Sequence, residues 1–120
     1  MPDANAIAET YLAIWNAREG RHRRELLTEH WAPDARYVDP LMVSAGTEGV
    51  ATMIEDARRQ FPGHSFHLRG TPDGHGRHVR FSWSLACGDA HPVARGTDVA
   101  CLDEQGRIAE VIGFLDGDVA

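Results

Sequence analysis

"RHVRFSWSLAC", residues 77–87, alternates apolar and polar side chains as only an extended strand can use them. Val79, Phe81, Trp83, Leu85 and Cys87 fall on one face, and His78, Arg80, Ser82, Ser84 and Ala86 on the other. The first face must look into a core. The same period of two runs through "HSFHLRG" (64–70), "HPVARGTDVACLD" (91–103) and "RIAEVIGFLD" (107–116), with glycine-rich or Asp-containing turns between them. Four antiparallel strands are therefore predicted from His64 onward.

Before His64 the period is helical. Ile7, Tyr11, Ile14 and Trp15 repeat at helical spacing over residues 4–17, with Asp3 placed as an N-cap. "RHRRELLTEHWAP" (21–33) puts Leu26, Leu27 and Trp31 on one side and is predicted to stop at Pro33. A short strand over 35–39 follows, inside "DARYVDP" (34–40). "GTEGVATMIEDARRQFPG" (46–63) then opens with Thr47 as a cap and closes at Pro62 and Gly63. Three helices followed by hairpin-linked strands describe an α+β domain whose sheet curls over the helices.

The 120 residues are expected to form one domain, 1–120, large enough to bury a core without disulfides or metal. Content is ordinary for a soluble protein at 42% hydrophobic and 25% charged residues. The net charge of −6 argues against nucleic acid or anionic lipid as a partner, and no apolar window reaches the length of a membrane span. The basic stretch "REGRHRR" (18–24) reads as a solvated turn between helices. The N-terminus lacks a basic region followed by an apolar core, which predicts a cytoplasmic protein with Cys87 and Cys101 as buried, unpaired thiols. The pairs in "HSFH" and "HGRH" have i, i+3 spacing, which on a strand puts the rings on opposite faces. No metal is expected.

Candidate site residues follow from parity. Asp98 shares a face with Gly96, Ala100 and Leu102, where an inward carboxylate must be hydrogen-bonded, protonated or at work; facing outward, it would pair with Arg80 or Arg95. Asp39, before Pro40, is either a turn former or a base at the lip of a pocket. His64 shares parity with Phe66 and Leu68. Val111 and Gly113 share the inward face of the last strand, and Gly113 would leave room for a ligand or mark a bend. The other face of that strand carries Ile108, Ile112 and Phe114, which predicts a homodimer packed through the sheet.

The order of elements, with "Y-x(3)-W" in the first helix, "APDARYVDP", "GTEGV" and "GTDVACLDEQGRIAEVIGFLD", resembles the nuclear transport factor 2-like superfamily over essentially the whole chain. Within it the chain looks most like the SnoaL-like and ketosteroid isomerase-like proteins. The resemblance implies three N-terminal helices packed in the concave face of a curved antiparallel sheet, a cystatin-like cone. It matches Tyr11 to the isomerases' oxyanion-hole tyrosine, Asp98 to the protonated acid beside it, and Asp39 to the base. The positions matched to their supporting tyrosines hold Trp31 and Ile54. Trp15, Trp31, His64, Phe66, Phe81, Trp83, Val111 and Gly113 would line the pocket, which is then narrower than a steroid site. The implied function is cofactor-independent proton transfer on a small apolar or carbonyl-containing molecule, as an isomerase, dehydratase or cyclase. The alternatives are epoxide-hydrolase-like water activation, which needs an inward arginine, and a non-catalytic binding or interaction module.

Overall fold

The computed structural model describes residues 3–117. Helix α1 (Ala4–Asn16) starts where the Asp3 carboxylate accepts the Ala6 N–H at 3.0 Å, and buries Ala8, Tyr11, Leu12, Ile14 and Trp15. Helix α2 (Gly20–His30) ends three residues before Pro33, because Trp31 already begins strand β1 (Trp31–Val38). Strand β1 is thus longer than the predicted 35–39. Pro33 is tolerated inside it because pairing is irregular between Trp31 and Arg36, so no ladder bond is asked of its missing N–H. Strand β2 (Val43–Ala45) has three residues, too few to show any period in the sequence.

Helix α3 (Gly46–Gln60) is capped by Ala45 without a side-chain bond, not by Thr47. The chain turns into the helix at Gly46 with φ of 76°, a conformation that glycine adopts without strain. It ends just ahead of Pro62 and Gly63, as the sequence indicates. Strands β3 (Ser65–His75), β4 (His78–Ala86), β5 (Ala94–Leu102) and β6 (Ile108–Leu115) complete a six-stranded sheet of order β2-β1-β6-β5-β4-β3. The sheet is curved and unclosed, and the fold is α+β as predicted. Every neighbouring pair is antiparallel except β1 and β6, which run parallel. Helix α1 lies against β3 and β4, and α3 against β1 and β2.

Three side chains fix the helices to that frame. Asn16 at the end of α1 uses its amide as a surrogate strand, donating to Phe66 O at 2.9 Å and accepting from Phe66 N at 2.8 Å. It thereby covers part of the exposed edge of β3. Arg23, expected in a solvated turn, is buried instead, and donates to Ile14 O at 3.0 Å, to Ala17 O and to Glu55. It satisfies carbonyls that the end of α1 leaves open. Arg24 holds Glu48 and Glu55 of α3, so the basic stretch knits three helices together.

The β3–β4 hairpin changes the reading of "HGRH". The turn falls between His75 and His78, so they face each other in register with ring centroids 5.6 Å apart, instead of lying on opposite faces of one strand. Among the described residues no group of three His, Cys, Asp or Glu side chains comes together around a metal position. Cys87 is exposed, not buried, because the strand ends at Ala86; Cys101 is half-buried, and the two thiols are free. No described helix is long and apolar enough to cross a membrane.

Replacing Arg23 with Met keeps the volume and removes three hydrogen bonds from a charged donor. We expect a loss of about 3 kcal/mol in unfolding free energy by urea denaturation. A loss below about 1 kcal/mol would mean that water satisfies the α1 carbonyls equally well.

Candidate active site

Asp98 sits in the middle of β5, opposite Phe81 on one side and Gly113 on the other, and is 3% exposed. Its parity is inward, with Gly96, Ala100 and Leu102 all buried beside it. The outward alternative fails, because Arg80 pairs with Asp73 at 2.8 Å and Arg95 stays exposed. The Tyr11 hydroxyl donates to Asp98 Oδ2 at 2.6 Å across 87 residues of sequence, joining α1 to β5. Burial pushes the Asp98 carboxyl up to about 6; the Tyr11 hydroxyl and the Trp83 indole hold it back, and the charges of Asp39 and Asp116 add to the rise. Burial, and then the Asp98 charge, move Tyr11 well above the ordinary phenol value, so its hydroxyl remains a donor.

Asp39 follows β1 and is a turn former, the first of its two readings. Its Oδ1 accepts the Leu41 and Met42 N–H groups, each at 2.8 Å, and its Oδ2 accepts the Tyr37 hydroxyl at 2.6 Å. Three donors therefore occupy this carboxylate. Tyr37 is a residue of this cluster that the sequence pattern does not single out. Its signal is parity alone: in "RYVDP" it stands two residues before Asp39 and so shares its face. It supplies a second tyrosine where the family-matched positions hold Trp31 and Ile54. Burial, followed by the Asp98 charge, raises Tyr37 far above the usual phenol range.

Two glycines on the inner face make this cluster possible. A Cβ on Gly113 would lie 2.8 Å from Asp98 Oδ1 and 3.1 Å from Asp39 Cβ, so its missing side chain is filled by the two acids and leaves no room there for a ligand. A Cβ on Gly96 would stand 2.4 Å from the Trp83 ring, which lies over that strand.

A cavity of about 370 Å³ opens above the cluster. Tyr11, Tyr37, Asp39 and Asp98 line its polar end, and Trp15, Phe66 and Trp83 its apolar walls. Phe66 meets Trp15 and Trp83 edge-on at 5.1 and 5.3 Å. His64 reaches the same cavity from the α3–β3 turn, its Nδ1 3.0 Å from Pro62 O; that carbonyl can only accept, so Nδ1 carries the proton. Leu41, Phe61, Val93 and Leu115 also line the cavity and are exposed, which places them at its rim. Arg58 of α3 belongs to the lining too and is a second residue that the sequence pattern leaves unmarked. The Trp15 indole N–H is buried without a hydrogen-bond partner.

Besides Gly113, three expected pocket residues are elsewhere. Trp31 is fully buried and stacks on Tyr11 at 6.0 Å and 16°, because it opens β1 beneath α1. Phe81 packs against the Tyr11 ring at 4.8 Å, and Val111 is fully enclosed in the core cluster. All three support the site from behind.

Residues 8–111 match the model of the SnoaL-like domain. The chain belongs to the SnoaL-like family. No curated protein matches it. Among solved structures it is similar to a SnoaL-like family protein of Agrobacterium tumefaciens str. C58 that carries a provisional isomerase assignment. The two are 54% identical over 95% of this chain and 97% of that one, with a TM-score of 0.92. A provisionally assigned SnoaL-like polyketide cyclase of Jannaschia sp. CCS1 is 17% identical over 97% and 89% of the two chains, with a TM-score of 0.73. A bacterial protein with a cystatin-like fold from Silicibacter pomeroyi DSS-3 is 20% identical over 98% and 78%, with a TM-score of 0.70. The last two share the fold alone.

Because the native Asp98 carboxyl, at about 6, lies above its ordinary 3.8, the folded state takes up the proton first. The stabilisation this gives is full below about pH 4 and is lost as pH rises through 6. Asp98→Asn keeps the shape and cannot titrate. Its unfolding free energy relative to wild type should therefore rise by about 3 kcal/mol between pH 4 and 7.5. A flat difference across that range would place the titration elsewhere.

Proposed function

We propose that the protein catalyses proton transfer on a small carbonyl compound held in this cavity, with Asp98 as the group that moves the proton. The observation that carries the reading is a buried carboxyl, raised to about 6, at the polar end of an otherwise apolar cavity. A base with a pKa near the working pH both exists in the ionised form and holds a proton well enough to take it from carbon. Tyr11 orients Asp98 through its 2.6 Å bond. The Tyr11 hydroxyl, released once Asp98 has taken up a proton, is the donor available to an oxygen on which charge develops. In this scheme Asp98 removes a proton beside the carbonyl, the enolate oxygen accepts from Tyr11, and Asp98 returns the proton to another carbon. Isomerisation, dehydration and cyclisation share that first step. Asp39 changes role from the family-matched base to a fixed charge that helps raise Asp98, since its own oxygens already accept three bonds.

The test is deuterium exchange beside the carbonyl of small β,γ-unsaturated ketones, followed by NMR, together with the rise in absorbance of the conjugated product. Wild type should accelerate both, with a rate that climbs through about pH 6, and Asp98→Asn should lose at least about 100-fold. Asp39→Asn should act mainly on folding stability. Exchange by Asp98→Asn within a factor of two of wild type, or no acceleration by wild type on any of the ketones, removes the reading.

Hydrolysis by an activated water keeps one supporting observation. Arg95 points away from Asp98, but Arg58 brings a guanidinium to the same cavity from α3. We also infer that two copies pair through the outer face of the sheet, where Ile112 and Phe114 of β6 are exposed. Light scattering at micromolar concentration should give twice the chain mass; a monomer would remove the dimer.

A further inference from the structure

Five arginines are buried or half-buried, and four of them meet a carboxylate. Arg23 and Arg24 share Glu55, Arg69 binds Asp116 at 2.9 Å, and Arg107 binds Asp103 at 3.2 Å. Arg58 is the exception: among the described residues no carboxylate lies within salt-bridge distance of it. Its only protein hydrogen bond there is from Nη1 to Trp15 O at 3.0 Å, which occupies one of five N–H donors. Arg58 nevertheless belongs to the lining of the cavity, together with Phe61 and His64. A half-desolvated cation without a counter-charge is costly unless something else supplies one, and a planar carboxylate matches the guanidinium fork best.

The charges of the cavity are also set apart along α1. Tyr11 holds Asp98, and the carbonyl of Trp15, one helical turn further along, holds Arg58. The nearby Glu55 is already engaged by Arg23 and Arg24 and does not neutralise Arg58. An anionic group would be repelled by Asp39 and Asp98 and drawn to Arg58, which fixes the direction in which a ligand lies.

We propose that the cavity takes a ligand with a carboxylate tail, bound by Arg58 at the end of α3, with its apolar body along Trp15, Phe66 and Trp83. This deepens the proton-transfer reading and rests on it for the reacting end, since it makes the substrate a carbonyl compound that also carries an acid group. The binding itself does not require catalysis. Arg58 is a specificity-determining residue in this scheme and Asp98 remains the reacting one.

The experiment compares binding of 1-naphthoate with that of 1-naphthamide by isothermal titration at pH 7.5. The two probes share a ring system and differ in charge, and neither has a proton to exchange beside its carbonyl. Wild type should bind the carboxylate at least about tenfold more tightly. Arg58→Gln should erase that preference while leaving the amide affinity unchanged, and Arg95→Gln, at an exposed position, should keep it. If Arg58→Gln does not fold, Arg58→Lys retains the charge without the fork and should lose part of the preference. Equal affinity of wild type for the two probes, no binding of either, or a full preference in the folded Arg58 variant overturns the proposal. Because the probes are inert to exchange, loss of ketone exchange with naphthoate preference intact would sink only the catalytic reading.

Discussion

The bond from Tyr11 to Asp98 is the constraint around which the rest of the site is arranged. A carboxyl at the centre of a sheet face, between Phe81 and Gly113, has lost its water and needs a donor within reach. Tyr11 supplies it at 2.6 Å, and doing so fixes the rotation of α1 over the sheet. Trp15 then falls one turn further on, on the same helix face, where it becomes a cavity wall. Beneath the pair, Trp31 stacks on the tyrosine ring and Phe81 meets its edge. The phenol is therefore held by packing on both sides, and its direction toward Asp98 is set by the core as well as by the hydrogen bond.

Strand parity makes much of this arrangement legible from the amino-acid order alone. Alternation along β4 marks the inward face and with it Trp83, whereas along β5 it groups Asp98 with Gly96, Ala100 and Leu102 and leaves open which way that set faces. Parity does not say what fills the space that Gly96 and Gly113 leave. Gly113 reads as room for a ligand until its neighbours across β1 and β5 are known, and both are acids. Tyr37 stays hidden because β1 reads as a short strand with Asp39 as its feature, and one strand's pattern does not say that a hydroxyl and a carboxylate two residues apart will bond. Arg58 lies in a helix whose last turn carries two arginines; nothing local distinguishes Arg59, paired with Asp56 on the surface, from Arg58, turned inward to Trp15 O. Trp31 falls on the other side of a boundary than its helical spacing suggests: the apolar period continues to Pro33, whereas the strand begins at the tryptophan itself.

Membership of the SnoaL-like family accounts for the frame and leaves the reaction to local differences. The 54% identity to the Agrobacterium protein extends over nearly the whole of both chains, so the two share more than a backbone path. Within that frame this chain holds a cavity of mixed character. Its lining combines two acids and two tyrosines with an arginine, a histidine and the rings of Trp15, Phe66 and Trp83. An environment of that kind orders a ligand end to end, and a small, narrow space makes that order matter more than shape alone.

The parallel pairing of β1 with β6 has a consequence for how the molecule comes into being. Trp31 aligns with Ile108 and Tyr37 with Val111, so the first long strand has its inner neighbour only when a strand some seventy residues further on has arrived. Everything from β2 to β5 must be held in place while that gap waits, and closing so long a loop slows the ordering of the sheet. Asp39 and Asp98 are brought to either side of Gly113 only once β6 has paired with both β1 and β5. An incomplete chain thus carries the residues of the site without the site itself, and the acids are buried together only in a molecule whose sheet is already whole.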